Sequence, residues 1–246
     1  MFYTLFTILI MTVSEQIQSK VNSFPKGTIF TYWKLDIDET NKQAAVKSIE
    51  RLIRSKVIAK ISKGKFYRPD KSVFGLVPPN STELIKTYTY KNNKRVAYET
   101  GNSLYNKLGL TTQVPTFIYL GVYNSRINVN KNSLKIKSVK SYIIPTDNNV
   151  KYLQFLDILK DFKSIPDLDI NYTIEYLSKE LNSLDLKLLK KYALEYPPRV
   201  IAFLGAVLEY NNLSIGNLKE VLKPTSSYNY GINNDILPTA KKWNIK

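Results

Sequence analysis

"AAVKSIERLIRSKVIAKISKGKFYRP", residues Ala44 to Pro69, changes its periodicity halfway along. Up to Arg54 the apolar residues recur at helical spacing. Ala45, Val46, Ile49, Leu52 and Ile53 make one stripe, and Gln43, Lys47, Glu50, Arg51 and Arg54 fall on the other side. Beyond it, "VIAKIS" and "KFYRP" read as two short strands around Lys63-Gly64-Lys65, where Gly64 supplies the backbone freedom of a tight turn. The stretch therefore predicts an amphipathic helix that feeds directly into a basic hairpin.

The preceding residues complete the pattern. Ser14 is expected to cap a first helix that buries Ile17, Val21 and Phe24 and ends at Pro25 and Gly27. "TIFTY" reads as a short strand and "YWKLDI" as a brief helix, after which Thr40 or Asn41 caps the amphipathic helix. Helix, strand, helix, helix, hairpin is the order of a winged helix-turn-helix, whose third helix enters the major groove while the hairpin rests on phosphates. Charge is concentrated in the same place. Between Asn41 and Lys71 stand Lys42, Lys47, Arg51, Arg54, Lys56, Lys60, Lys63, Lys65, Arg68 and Lys71 against Glu50 and Asp70, a local net of +8. Asn41, Lys42, Gln43 and Lys47 near the helix start suit base edges. Arg51, Arg54, Lys63, Lys65 and Arg68 suit phosphates, whose neutralisation releases counterions and makes affinity salt-dependent. The plainer alternatives are a solvated helix and hairpin, or a winged helix used for protein contacts.

Composition agrees with a polyanionic partner. The 246 residues carry 36 Lys plus Arg against 20 Asp plus Glu, a net charge of +16, and 43% are hydrophobic, enough for one or two domains with real cores. Thirty of the basic residues are Lys, so base composition of the genome competes as an explanation for part of the excess. With no Cys and no His, zinc sites, Ser-His-Asp triads, Cys nucleophiles and disulfides cannot be built from this chain. "MFYTLFTILIM" is about half the length of a membrane span and lacks the flanks of a signal peptide. The only methionines are Met1 and Met11, so Met11 is the expected start of the native protein, a hydrophobic anchor being the alternative. The expectation is a cytoplasmic protein without a membrane partner.

The expected fold class is α+β: a winged helix-turn-helix over residues 11–75, then a mixed α/β domain over 83–212 with a small sheet and a helical layer, then a polar, partly flexible tail over 213–246. "GLVPPNSTEL" reads as the linker. From Glu83 to Ser141, "RVAYET", "TFIYLGVY" and "SLKIKSVKSYII" suggest three or more strands. Lys135, Lys137 and Lys140, with Lys94, Lys131, Arg95 and Arg126 nearby, suggest a second DNA surface, a solvated sheet face being the competing reading. A short helix over "SLYNKL" stops at Gly109, followed by the polar Thr111, Thr112 and Gln113. Between Asn149 and Asn212 the pattern is helical and slightly acidic. Its last helix opens at Pro197-Pro198, is apolar nearly all round and carries Gly205, so it should lie at the centre of the domain. Asp167 and Asp169 have the spacing of a metal-binding Asp pair, but a helix cap is the simpler use. No catalytic residue, metal ligand or cofactor is expected. Tyr228, Tyr230 and Trp243 either stack on a partner or pack back onto the domain.

Four blocks, "PKGTIFTYWKL", "AVKSIERLIRSKVIAKISKGKFYRP", "ETGNSLYNKLGLTTQVP" and "YPPRVIAFLGAVLE", resemble the AbiEi-type antitoxins of type IV toxin-antitoxin systems, from about Met11 to Asn212. The last two carry the specific match, through Gly101, Gly109, Thr112, Gln113, Pro115, Arg199 and Gly205. One departure is Lys56, where such wings commonly carry Gly. The resemblance implies a winged helix that represses its own operon through inverted repeats in the promoter. It also implies an antitoxin domain that counters a nucleotidyltransferase toxin encoded nearby without a stable complex, in abortive infection and phage defence. A transcriptional regulator with a ligand-sensing C-terminal domain would share the same N-terminal half.

Overall fold

The computed structural model describes residues 11–73, 75–91, 94–131 and 134–246, and divides the chain into two units at Thr87/Tyr88. The apolar run ending at Ile10 lies outside the described residues.

In the first unit α1 (Val13–Ser23) opens with a capping box. Glu15 N–H donates to Thr12 Oγ1, and Thr12 N–H donates to the Glu15 carboxylate at 2.8 Å, so Thr12 rather than the expected Ser14 is the cap. Next come β1 (Ile29–Thr31) and a 3-10 turn over Tyr32–Leu35, then a second over Glu39–Asn41 that runs directly into α2 (Lys42–Arg54). Neither Thr40 nor Asn41 caps α2 as expected: Thr40 lies inside the 3-10 turn and the Asn41 side chain makes no capping bond, because that turn already occupies the entry. Strands β2 (Ala59–Ser62) and β3 (Lys65–Tyr67) form an antiparallel hairpin across Gly64, at φ +71°, and β3 also pairs with β1, giving the order β1-β3-β2.

The core of this unit draws on α1, β1, the first 3-10 turn, α2, β3 and the residue before β2. Ile17 and Val21 of α1, Phe30, Leu35, Ala45, Ile49, Leu52, Ile58 and Phe66 are buried together. Phe24 caps the end of α1 and stacks on Phe30 at 4.9 Å, while Tyr32 meets Phe66 edge-on at 5.2 Å. Val46, expected in the buried stripe, is exposed, since Ser48 takes the inner position and returns its hydroxyl to Ala44 O at 2.9 Å. Two features follow the hairpin where a linker was expected. They are an exposed ribbon of β4 (Asp70–Ser72) and β5 (Gly75–Val77), and α3 (Ser81–Thr89), whose start is fixed by Glu83 N–H donating to Asn80 Oδ1.

In the second unit β6 (Tyr90–Lys91) and β7 (Lys94–Arg95) form a small ribbon. A four-stranded mixed sheet has the order β10-β11-β9-β8, from β8 (Ala97–Thr100), β9 (Ile118–Val122), β10 (Asn128–Lys131) and β11 (Leu134–Lys140). Only β9 and β11 are parallel. Helix α4 (Gly101–Lys107) starts at a left-handed Gly101 whose absent Cβ would stand 3.0 Å from Tyr119 Cβ, so the helix turns off the sheet edge only with glycine there. Then come α5 (Val150–Asp161), α6 (Ile170–Leu181), α7 (Leu186–Ala193) and α8 (Pro198–Tyr210). Asp169 caps α6, accepting from Tyr172 N–H, as the simpler reading of the Asp pair required.

Helix α8 is the expected centre, with every residue from Val200 to Leu208 buried. The segment after Asn212, expected as a polar tail, closes over it. Leu218, Tyr230, Ile232, Leu237, Ala240, Trp243 and Ile245 all enter the same core. The Trp243 ring occupies the space a Cβ at residue 205 would need, 2.2 Å away, and its Nε1 donates to Glu209. Gly205 thus admits an indole from the end of the chain. Tyr230 packs on Phe203 at 4.6 Å and donates its hydroxyl to Arg199 O. The fold class is α+β. No helix among the described residues is long and apolar enough to cross a membrane.

Candidate nucleic-acid interface

Helix α2 stands on its core through Ala45, Ser48, Ile49 and Leu52, which turns the opposite face outward. Exposed there, about one turn apart, are Gln43, Lys47, Arg51 and Arg54, with Lys42 at the start. Asn41, expected beside them, is half-buried in the preceding turn. Lys56, Lys60 and Lys63 are also exposed, just after α2 and along the hairpin. Among the described residues, none of Lys42, Lys47, Arg51, Arg54, Lys56, Lys60 and Lys63 forms an ion pair within 4.0 Å. Glu50 is the one carboxylate on the helix, and its charge, after burial, helps hold the Tyr32 hydroxyl above its usual pKa. The face is a set of solvated cations without internal partners, the arrangement a polyanion would neutralise.

Two expected phosphate ligands belong to the fold instead. Lys65 is half-buried and donates from Nζ to Thr87 O at 2.8 Å, and burial lowers its pKa. Arg68 donates from Nη1 to Asn22 O at 2.8 Å and Phe24 O at 3.1 Å, satisfying carbonyls at the C-terminal end of α1 that helix geometry leaves open. Lys65 on β3 and Arg68 just beyond it are thus each held by hydrogen bonds to backbone carbonyls.

The three lysines of β11 do not share one surface. Lys135 and Lys137 lie on the same side of the strand, with their ammonium groups 6.0 and 3.9 Å from the centre of the Phe117 ring. Lys140, three positions beyond Lys137, points to the other side, 4.7 Å from Tyr142.

Among the signature residues of the second unit, the three glycines serve the fold. Gly109 sits at φ +73° just beyond α4, Thr111 is buried, and its Oγ1 accepts from Gln113 N–H. Thr112 and Gln113 are exposed, Pro115 is half-buried, and Thr112 reaches Asp167 at only 3.4 Å. Arg199 is exposed and makes no ion pair among the described residues.

Sequence reading missed a second charged cluster. Asp157 on α5 is fully buried, and four donors surround its carboxylate: Tyr98 at 2.8 Å, Thr100 at 2.7 Å, Lys160 Nζ at 2.8 Å and Tyr196 at 3.3 Å. Tyr105 donates to both Asp157 O and Asp161. Burial first, then the Asp157 charge, pushes the Tyr98 and Tyr196 hydroxyls far above their normal range. Burial likewise raises Asp161, against the pull of Lys160. Both Asp157 oxygens are satisfied, so this cluster is a tie between β8, α5 and the segment before α8. Its partners lie far apart in sequence, and only a lone Asp within an apolar helix pattern could have signalled it. No group of three or more carboxylates able to hold a metal is found among the described residues.

These features define the class: an α+β protein in which an outward basic helix and hairpin precede a sheet-and-helix unit with an internal charge knot. The chain belongs to a family of unknown function, DUF6088, whose profile matches residues 16–180. Among solved structures it is similar to the RV2827C protein from Mycobacterium tuberculosis, at 10% identity and a TM-score of 0.52, covering 90% of this chain and 86% of that one. At that identity the likeness bears on the fold alone. No curated protein matches the sequence.

Proposed function

We propose that the chain is a cytoplasmic, DNA-binding antitoxin of the AbiEi type. Its N-terminal unit acts as a winged helix-turn-helix that represses its own operon through an inverted repeat. One observation carries the DNA half: the outward face of α2 continues into the hairpin as a row of exposed cations that have no counter-ion among the described residues. In this reading α2 occupies the major groove, with Lys42, Gln43 and Lys47 at base edges. Arg51, Arg54, Lys60 and Lys63 sit on phosphates. The antitoxin half rests on the resemblance of the second unit's two blocks to that family, with the neighbouring nucleotidyltransferase toxin as a functional partner that forms no stable complex. No enzymatic activity is assigned.

The test is fluorescence anisotropy of the protein against the DNA upstream of its own gene and against a shuffled duplex, each across a salt series. Selective binding whose log-log salt slope is about −3.5 to −5.5, as roughly four to six neutralised phosphates require, supports the reading. Equal, weak binding to both duplexes rejects autoregulation. Rescue of growth on co-expression with the adjacent gene tests the antitoxin half separately.

A further inference from the structure

Arg126 and Lys140 meet at one place on the second unit that the proposed function does not use. A concavity of about 400 Å³ lies where the loop after β9 passes the end of β11, with both residues on its lining. That volume falls within the span of roughly 300 to 1,000 Å³ usual for small-molecule sites. Both cations are exposed, and among the described residues neither forms an ion pair within 4.0 Å.

The walls are held in place by backbone bonds. Ser138 N–H donates to Ile127 O and Ser138 Oγ accepts from Ile127 N–H, both at 2.9 Å, a reciprocal pair that fastens the Arg126 loop to β11. Ser141 N–H donates to Val122 O at 2.9 Å, and Lys140 stands in register with Val122 across the parallel pair. The loop itself reverses at Asn124, in the left-handed region at φ +50°. Lys140 Nζ is steadied by the Tyr142 ring at 4.7 Å, which favours a cation without neutralising it. Val122 and Val139 add apolar surface beside Ser125.

We propose that this concavity binds the phosphate group of a mononucleotide-sized ligand. The guanidinium fork of Arg126 would take two phosphate oxygens, the Lys140 ammonium a third, and the valines would support the remainder of the ligand. The phosphate has two possible sources, a free nucleotide or the DNA backbone, and the experiment separates them.

Isothermal titration of the full chain with AMP and with inorganic phosphate is compared with the same titrations of Arg126→Ala/Lys140→Ala. Both side chains are exposed, so the variant should keep the wild-type melting temperature. Arg126→Lys, which keeps the charge but loses the fork, serves as an intermediate. A shuffled duplex is titrated in the Lys47→Ala/Arg51→Ala background, with and without the pocket substitutions, so that loss of the α2 face cannot be mistaken for loss of the pocket. The expected result is AMP binding that the double variant weakens by about tenfold or more, since each charge-assisted bond is worth roughly a decade in affinity. Loss of duplex binding alone would assign the phosphate to DNA. AMP, phosphate and duplex curves all unchanged by the substitutions would overturn the proposal.

Discussion

The face of α2 and the knot at Asp157 both gather charge, in opposite ways. On α2, Lys47, Arg51 and Arg54 project into water and form no ion pair among the described residues, so they contribute little to folding and remain available to an external anion. At Asp157 a carboxylate with no solvent access is offset by four donors from three segments. A charge is informative about function where the fold leaves it unsatisfied, and about architecture where the fold satisfies it. Lys63, Lys65 and Arg68 show that the distinction runs within a single hairpin: Lys63 is exposed, whereas Lys65 and Arg68 are half-buried and donate to backbone carbonyls.

The largest effect should come from breaking the knot. Asp157→Ala removes the acceptor of the buried Tyr98 and Thr100 hydroxyls and leaves Lys160 only Asp161, at 3.7 Å, and Tyr196 only Leu153 O, at 3.4 Å, so it should destabilise the second unit by about 3–5 kcal/mol in urea unfolding. Affinity of the folded protein for DNA should stay within a factor of about two, because the cluster belongs to the core of the second unit and the α2 face to the first, and sites that share no partners act nearly independently. A loss below about 1 kcal/mol would mean that the cluster is not a structural tie.

Lys47→Ala with Arg51→Ala should do the reverse. Operator affinity should fall by about a hundredfold, while stability moves by no more than about 0.5 kcal/mol, as for exposed substitutions generally. Toxin rescue on co-expression should survive. Rescue lost with repression retained would overturn the division of labour between the two units.

Arg68→Ala sharpens the comparison inside the hairpin. It strands the carbonyls of Asn22 and Phe24, so a stability loss of about 1–2 kcal/mol is expected, with the salt slope of DNA binding unchanged. A slope reduced by about one, with stability intact, would return Arg68 to the phosphate-contacting set.

Local patterns carried most of the fold into view. The stripe of α2, the turn at Gly64 and the apolar α8 each depend on residues a few positions apart, where periods of 3.6 and 2 are decisive. What escaped depends on long-range pairing. Trp243 fills the space beside Gly205, and Tyr98, Tyr196 and Lys160 converge on Asp157, and no local period encodes either. The interface was legible as a count of charges but not as directions: the count included Lys65 and Arg68, and grouped Lys140 with two lysines on the other side of its strand.

Lys56 offers the smallest and most discriminating substitution. It follows α2 at φ +57°, a left-handed conformation that costs a side-chain-bearing residue roughly 1 kcal/mol relative to glycine, and helices commonly place glycine there. Its amide closes the helix end by donating to Ile53 O at 3.0 Å, a bond that glycine would keep. Lys56→Gly should therefore stabilise the first unit by about 0.5–1 kcal/mol in urea unfolding. If the exposed ammonium also meets a phosphate, the same variant should bind DNA more weakly and with a salt slope shallower by about one. A gain in stability with no change in binding would class Lys56 with charges that serve neither fold nor DNA. A gain bought at the expense of affinity would show strain retained in the backbone because the cation is needed outside it.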